Sequence, residues 1–184
     1  MTTDNRRANT KKAIQNAMVT LLKTKSFDDI TTTKLAKEAG ISRSSFYTHY
    51  KDKFELIDSC QQTLFNQIEY IFEKHVGDKE AAFLEIFEFL KREQLLSALI
   101  SANGTREFQT FIVNKVRLFI NTDFQRRFKR EKLTPVEAEY SSIYLASAFF
   151  GLCQAWIANG KKESPRQMTN ARAQITPNVT LTVR

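Results

Sequence analysis

Apolar residues recur every three or four positions along almost the whole chain, and little interrupts them. Ile14, Ala17, Met18, Leu21 and Leu22 form one stripe; Phe83, Ile86, Phe87 and Leu90 form a second; Phe108, Phe111, Ile112, Val116, Phe119 and Phe128 form a third. This spacing follows the 3.6-residue turn of an α-helix, whereas the two-residue alternation of a half-buried strand is scarce. Only 5 Gly and 3 Pro occur in 184 residues, so few positions force a helix to stop. The chain is expected to be all-α, with about nine helices.

Local signals place the helix ends. A first helix is expected over Thr10–Thr24, then a KSFDDI loop whose Phe27 and Ile30 plug a small core. Thr31 is an N-cap for a helix Thr32–Ala39, and Gly40 fits the left-handed position just past its end. Ser42 caps the next helix, which ends near Tyr50, and Ile41 can pack on Phe46 as a hydrophobic staple. Asp52 and Glu55 make a capping-box-like pair at the start of a long amphipathic helix, Lys53–Val76. Further helices are expected over Lys79–Glu93, on to about Ser101, and from Thr105 to about Glu131. Thr134-Pro135 opens the next, through Asn159, and Ser164 caps a last one that begins at Pro165. Residues 176–184 have no helical pattern and are expected to fray or extend.

Charge is unevenly spread. Residues 1–53 hold 11 Lys/Arg against 5 Asp/Glu, while residues 54–184 hold 17 against 15. An excess confined to the first third suits an anionic partner there, nucleic acid or a membrane surface. Cys60 and Cys153 stand far apart without a CxxC or Cys/His cluster, as reduced thiols in a cytoplasmic protein do. Tyr140–Gly160 runs 21 residues without a charge, long enough to span a bilayer. Its serines, Gln154 and Asn159 favour instead a helix buried on all sides, so a soluble, cytoplasmic protein without a membrane partner is expected.

Two short helices joined by Gly40-Ile41-Ser42 make a helix-turn-helix. In its second helix Phe46 and Tyr50, four apart, face inward and leave Ser44, Ser45, Tyr47, Thr48 and His49 mostly outward. Short hydroxyls allow close approach to a major groove, and the longer groups reach phosphates. Arg43 at the helix start suits guanine, whose O6 and N7 its fork can bond together. The acidic residues are scattered, without a nucleophile elbow, phosphate loop or HExxH, and His75 stands alone. Neither enzyme activity, nor a cofactor, nor a metal is implied.

Residues 10–56 resemble the DNA-binding domain of the TetR family of bacterial transcription regulators. The residues that carry the resemblance are Phe27, Ile30-Thr31, Leu35-Ala36, Ala39-Gly40-Ile41-Ser42, Phe46-Tyr47-x-His49-Tyr50, Lys53 and Leu56. Beyond residue 60 it rests on helix order and on FFGLCQAWIANGKKESP, 149–165, which is similar to the last helices of one branch of the family. The resemblance implies a three-helix DNA-binding domain, residues 1–52, joined to a helical regulatory and dimerisation domain, residues 53–184. It implies phosphate contacts by Thr31 and Thr32, and base or phosphate contacts by Ser42, Arg43, Ser44, Ser45 and Thr48. Tyr47, His49 and Lys53 would grip the DNA backbone. Tyr50 departs from the family's usual Phe, and its buried hydroxyl needs a partner.

The function implied is a homodimeric regulator, most often a repressor, on a palindromic operator in double-stranded DNA and responsive to a small-molecule effector. Ligand binding between the fourth and seventh helices would tilt the fourth and spoil the spacing of the two recognition helices. Small residues Ala146, Ser147, Ala148, Gly151 and Ala155, beside Tyr144, Phe150 and Trp156, suit a close twofold helix contact. The alternatives are a coactivator of the same fold that docks on a partner protein, and a peripheral membrane protein that uses the basic N-terminal face.

Overall fold

Nine α-helices and a 3-10 turn make up the described part of the chain, residues 3–131 and 134–175 of a computed structural model, and no strand occurs among those residues. The helices are α1 (Thr3–Leu22), α2 (Thr32–Glu38), α3 (Arg43–Tyr47), α4 (Lys53–Lys74), α5 (Lys79–Arg92), α6 (Gln94–Ile100), α7 (Arg106–Glu131), α8 (Pro135–Ala158) and α9 (Pro165–Ile175). The 3-10 turn is Phe27–Asp29. The expectation about residues 176–184, and the core role expected of the Phe128 side chain, lie outside what is described.

Two helix ends differ from the sequence reading by three residues or more. α1 begins at Thr3 rather than Thr10. The Thr10 hydroxyl donates back to the Arg6 carbonyl at 3.0 Å, inside a polar first stretch that carries no apolar stripe. α3 ends at Tyr47, because the chain then tightens: the Thr48 hydroxyl donates to the Ser45 carbonyl and His49 N–H to Phe46, both three residues back.

The chain divides into two compact units, Met1–Gln67 with Glu93–Ile112, and Ile68–Arg92 with Val113–Arg184. This division cuts through α4 and α7 and differs from a boundary at residue 52. The physical reason lies in α6, which packs on α1. The turn after α6 holds the first unit together: the Asn103 amide donates to the Leu22 carbonyl at 2.9 Å, and the Phe27 N–H donates to the Asn103 carbonyl at 2.8 Å. Gly104 follows because a Cβ there would lie 1.8 Å from the Leu99 carbonyl oxygen.

The core of the first unit is Ile14, Met18 and Leu22 of α1 against Phe27, Ile30, Leu35 and Phe46, all essentially without solvent contact. In the second unit Phe149 and Trp156 of α8 meet Phe87 of α5 edge to face, at 5.8 and 5.4 Å. α9 packs on α5, with the Arg172 guanidinium 3.8 Å from the centre of the Phe83 ring. α8 is the one helix among the described residues long and apolar enough to cross a membrane by length and composition.

Candidate nucleic-acid interface

The helix-turn-helix is assembled from caps. Thr31 accepts from the Lys34 N–H and starts α2. Past its end Gly40, at φ +67°, lets its own N–H reach the Lys37 carbonyl and the Ile41 N–H reach Ala36, the paired bonds of a Schellman turn. Ser42 then accepts from the Ser45 N–H at 3.0 Å and starts α3. Five residues could not hold a helix alone, and the fully buried Phe46 anchors this one. Its ring meets Tyr47 and Tyr50 at 5.9 and 6.0 Å.

With Phe46 fixed inward, Ser42, Arg43, Ser44, Tyr47 and Thr48 stand in solvent, and Ser45 and His49 are half-buried. Thr31 is exposed and Thr32 half-buried at the start of α2. Of the two threonines, Thr32 interacts with the Tyr47 side chain of α3. Arg43 donates to the Tyr47 hydroxyl at 3.3 Å and lies over its ring at 5.6 Å. That hydrogen bond holds the Tyr47 phenol below its ordinary range, with a smaller push from the Thr32 hydroxyl. The site thus presents a cation, a polarised phenol and small hydroxyls on a rigid anchor, the chemistry that meets phosphates and base edges.

Three expected residues lie elsewhere. Lys53 is turned inward: its ammonium donates to the Phe27 carbonyl at 2.7 Å and to Asp28 at 3.0 Å, and lies 4.5 Å from the centre of the Phe27 ring. Burial lowers its pKa. It ties α4 to the 3-10 turn and is not presented as a backbone grip. Trp156 is 2% exposed, donates from its indole to the Glu163 carbonyl, and belongs to the core of the second compact unit, as does the fully buried Ala146. Of the other residues expected at a dimer contact, Tyr144, Ser147, Ala148, Gly151 and Ala155 are exposed along α8 and Phe150 is half-buried, and Tyr140 and Val136 extend that face.

Tyr50 is buried, which raises its pKa, and the nearby Ser59 hydroxyl acts against that shift. Sequence reasoning missed Arg7 and Lys11. Both are exposed on α1, four residues apart, and their charges act on the His49 imidazole. The basic run NRRANTKK was the available signal, but nothing in it told which cations turn toward the recognition helix.

A family model described as "Bacterial regulatory proteins, tetR family" matches residues 14–60, and one described as "Transcriptional regulator C-terminal region" matches residues 77–178. The chain is 21% identical, over an alignment of 164 positions that covers 85% of this chain and 42% of the relative, to the HTH-type transcriptional regulator YxbF of Bacillus subtilis. It is 23% identical over 158 residues to the nucleoid occlusion factor SlmA of Mannheimia succiniciproducens, covering 78% of this chain and 73% of that one. Among solved structures it is similar to the fatty acid degradation regulator FadR from Bacillus halodurans. The TM-score there is 0.69 at 12% identity, over 93% of this chain and 96% of that one.

Proposed function

The chain belongs to the tetR family of bacterial regulatory proteins, non-enzymatic DNA-binding transcription factors, and on that premise we propose that it is a cytoplasmic repressor that binds a palindromic operator as a homodimer. The observation that carries this reading is the outward face of the helix pair. Ser42, Arg43, Ser44, Tyr47 and Thr48 stand in solvent around a fully buried Phe46, with Thr31 and Thr32 at the start of α2 beside them. Arg43 reads a guanine, the threonines and Tyr47 take phosphates, and a twofold pair of such helices meets successive major grooves, roughly 34–36 Å apart.

The second copy joins along α8. Val136, Tyr140 and Tyr144 are 63–70% exposed there and continue into Ser147, Ala148, Gly151 and Ala155. That apolar strip supports a helix contact in which small residues let two backbones approach, and an isologous pair matches a palindrome. Selection from a randomised DNA pool with the purified protein tests the reading. Enrichment of an inverted repeat is expected, and enrichment of nothing over the starting pool would overturn it.

A small-molecule effector that changes the separation of the recognition helices completes the proposal. One observation favours a second reading, a regulator that docks on a partner protein. The α4 and α7 helices meet through filled aromatic contacts, Phe65 on Phe111 at 5.0 Å in the first unit and Phe72 stacked on Phe119 at 3.8 Å in the second. Co-purification of a stoichiometric protein, together with failure to select DNA, would favour that version.

A further inference from the structure

His49 follows the last turn of the recognition helix, where burial and two nearby cations oppose a positive charge on its ring. Its Nδ1 is buried without a hydrogen-bond partner. An imidazolium donates from both ring nitrogens, so a proton there would leave a buried N–H unmet. From α1, Arg7 and Lys11 act on the ring; from its own segment, the Tyr50 ring lies beside it at 6.5 Å, itself under the Lys11 ammonium. Burial first, then Arg7 and Lys11, push the imidazole below its ordinary range, and no carboxylate is among the groups that act on it.

A duplex would counter the two positive charges and supply the missing acceptor, against a burial that it does not relieve. Its phosphates compensate Arg7 and Lys11, both exposed, and offer an acceptor to an imidazolium once the ring turns about its Cβ–Cγ bond. The free protein therefore disfavours the proton and the bound protein welcomes it.

We propose that the protein takes up one proton from solvent at His49 when it binds duplex DNA, and so holds DNA more tightly in acid. This rests on the DNA-binding reading above. The sign follows from linkage: His49 is harder to protonate free than bound. Above the bound-state pKa both states are neutral, and affinity does not depend on this group. As pH falls through that value affinity rises, and it levels off below the free-state pKa. One proton limits the change to about tenfold per pH unit.

The chain has two histidines, His49 and His75, so the His75→Gln variant assigns the imidazole resonances in an NMR titration. The probe is a random-sequence duplex at low salt, where non-specific binding suffices. His49 is expected to titrate below the ordinary imidazole range in the free protein and at a higher pH in the complex. Calorimetry in two buffers of different ionisation heat should show proton uptake that His49→Gln removes. An unmoved His49 midpoint, or uptake that persists in His49→Gln, overturns the proposal and leaves DNA binding intact. If the wild-type protein binds no duplex at any pH, the DNA-binding reading falls and takes this proposal with it. Should His49→Gln alone fail to bind, the wild-type midpoints, free and bound, still decide.

Discussion

The Asn103 side-chain amide donates to the Leu22 carbonyl at 2.9 Å, so a residue between α6 and α7 closes the end of α1. Its own carbonyl accepts from Phe27, and the segment between Leu22 and Phe27 is thereby held at both ends by one residue.

Asn103→Ala should cost about 1–2 kcal/mol, because the part-buried Leu22 carbonyl loses its donor while the backbone bond to Phe27 remains. Urea denaturation reads this as a lower midpoint at constant slope. An unchanged midpoint would mean that water satisfies the carbonyl equally well.

Arg43→Ala should weaken specific binding by about 1–3 kcal/mol and relax preference at one base position. The same variant removes the hydrogen bond that depresses Tyr47, so the phenol should titrate at higher pH, visible by ultraviolet absorbance. Equal loss on specific and random DNA would make Arg43 a phosphate contact instead.

For Lys53→Ala the expectation is lower stability, by about 1 kcal/mol, since two carbonyls of the 3-10 turn lose their ammonium donor. The salt dependence of DNA binding should keep its slope, because the side chain is engaged within the protein. A slope shallower by about one unit would identify a phosphate contact and contradict its inward position.

Glu85 gives a pH dependence. Lys74 at 2.8 Å, and then His75, hold its carboxyl below the ordinary range. A depressed folded-state pKa contributes stability above the unfolded-state value, near 4.3, and loses it as pH falls through the folded one. Glu85→Gln should remove that share of the acid sensitivity and change little in strong acid, where wild type has already lost it. The effect is small for so solvated a cluster. Parallel acid-denaturation curves for the two proteins would show that the cluster contributes nothing.

Gly151→Leu should separate the proposed dimer and leave each chain folded. A Cβ at Gly151 meets nothing within 4 Å in the chain, so in the proposed dimer the added bulk would fall on the partner. Overpacking costs about 1–3 kcal/mol per site and occurs twice in a symmetric pair. Sedimentation with circular dichroism is the check; a variant that remains dimeric moves the contact away from Gly151.

How much of this could be read in the residues depended on the range of the signal. The caps at Thr31 and Ser42, the turn at Gly40 and the buried Phe46 follow from neighbours a few positions away, and local chemistry decides them. The start of α1 was hidden because Thr3–Asn9 has no apolar residue except Ala8, and a helix without a stripe leaves no period. Trp156 was misplaced for the opposite reason. Tyr140–Gly160 is uncharged on every side, so composition does not say that Ala146 and Trp156 turn in while Gly151 and Ala155 turn out. Lys53 looked like a free cation because the carbonyls that hold it lie 25 and 26 residues earlier.

The clasp at Asn103 also bears on how the chain is made. A ribosome delivers Gln67 well before Glu93–Ile112, which the first compact unit also requires. Until then the Leu22 carbonyl and the Phe27 N–H lack their native partners. At roughly 5–20 residues per second of synthesis the nascent helix-turn-helix waits a few seconds, longer than small helical domains take to fold. Its completion is therefore set by translation, and a stall shortly after Gln67 would leave the part that meets DNA unfinished and open to proteolysis.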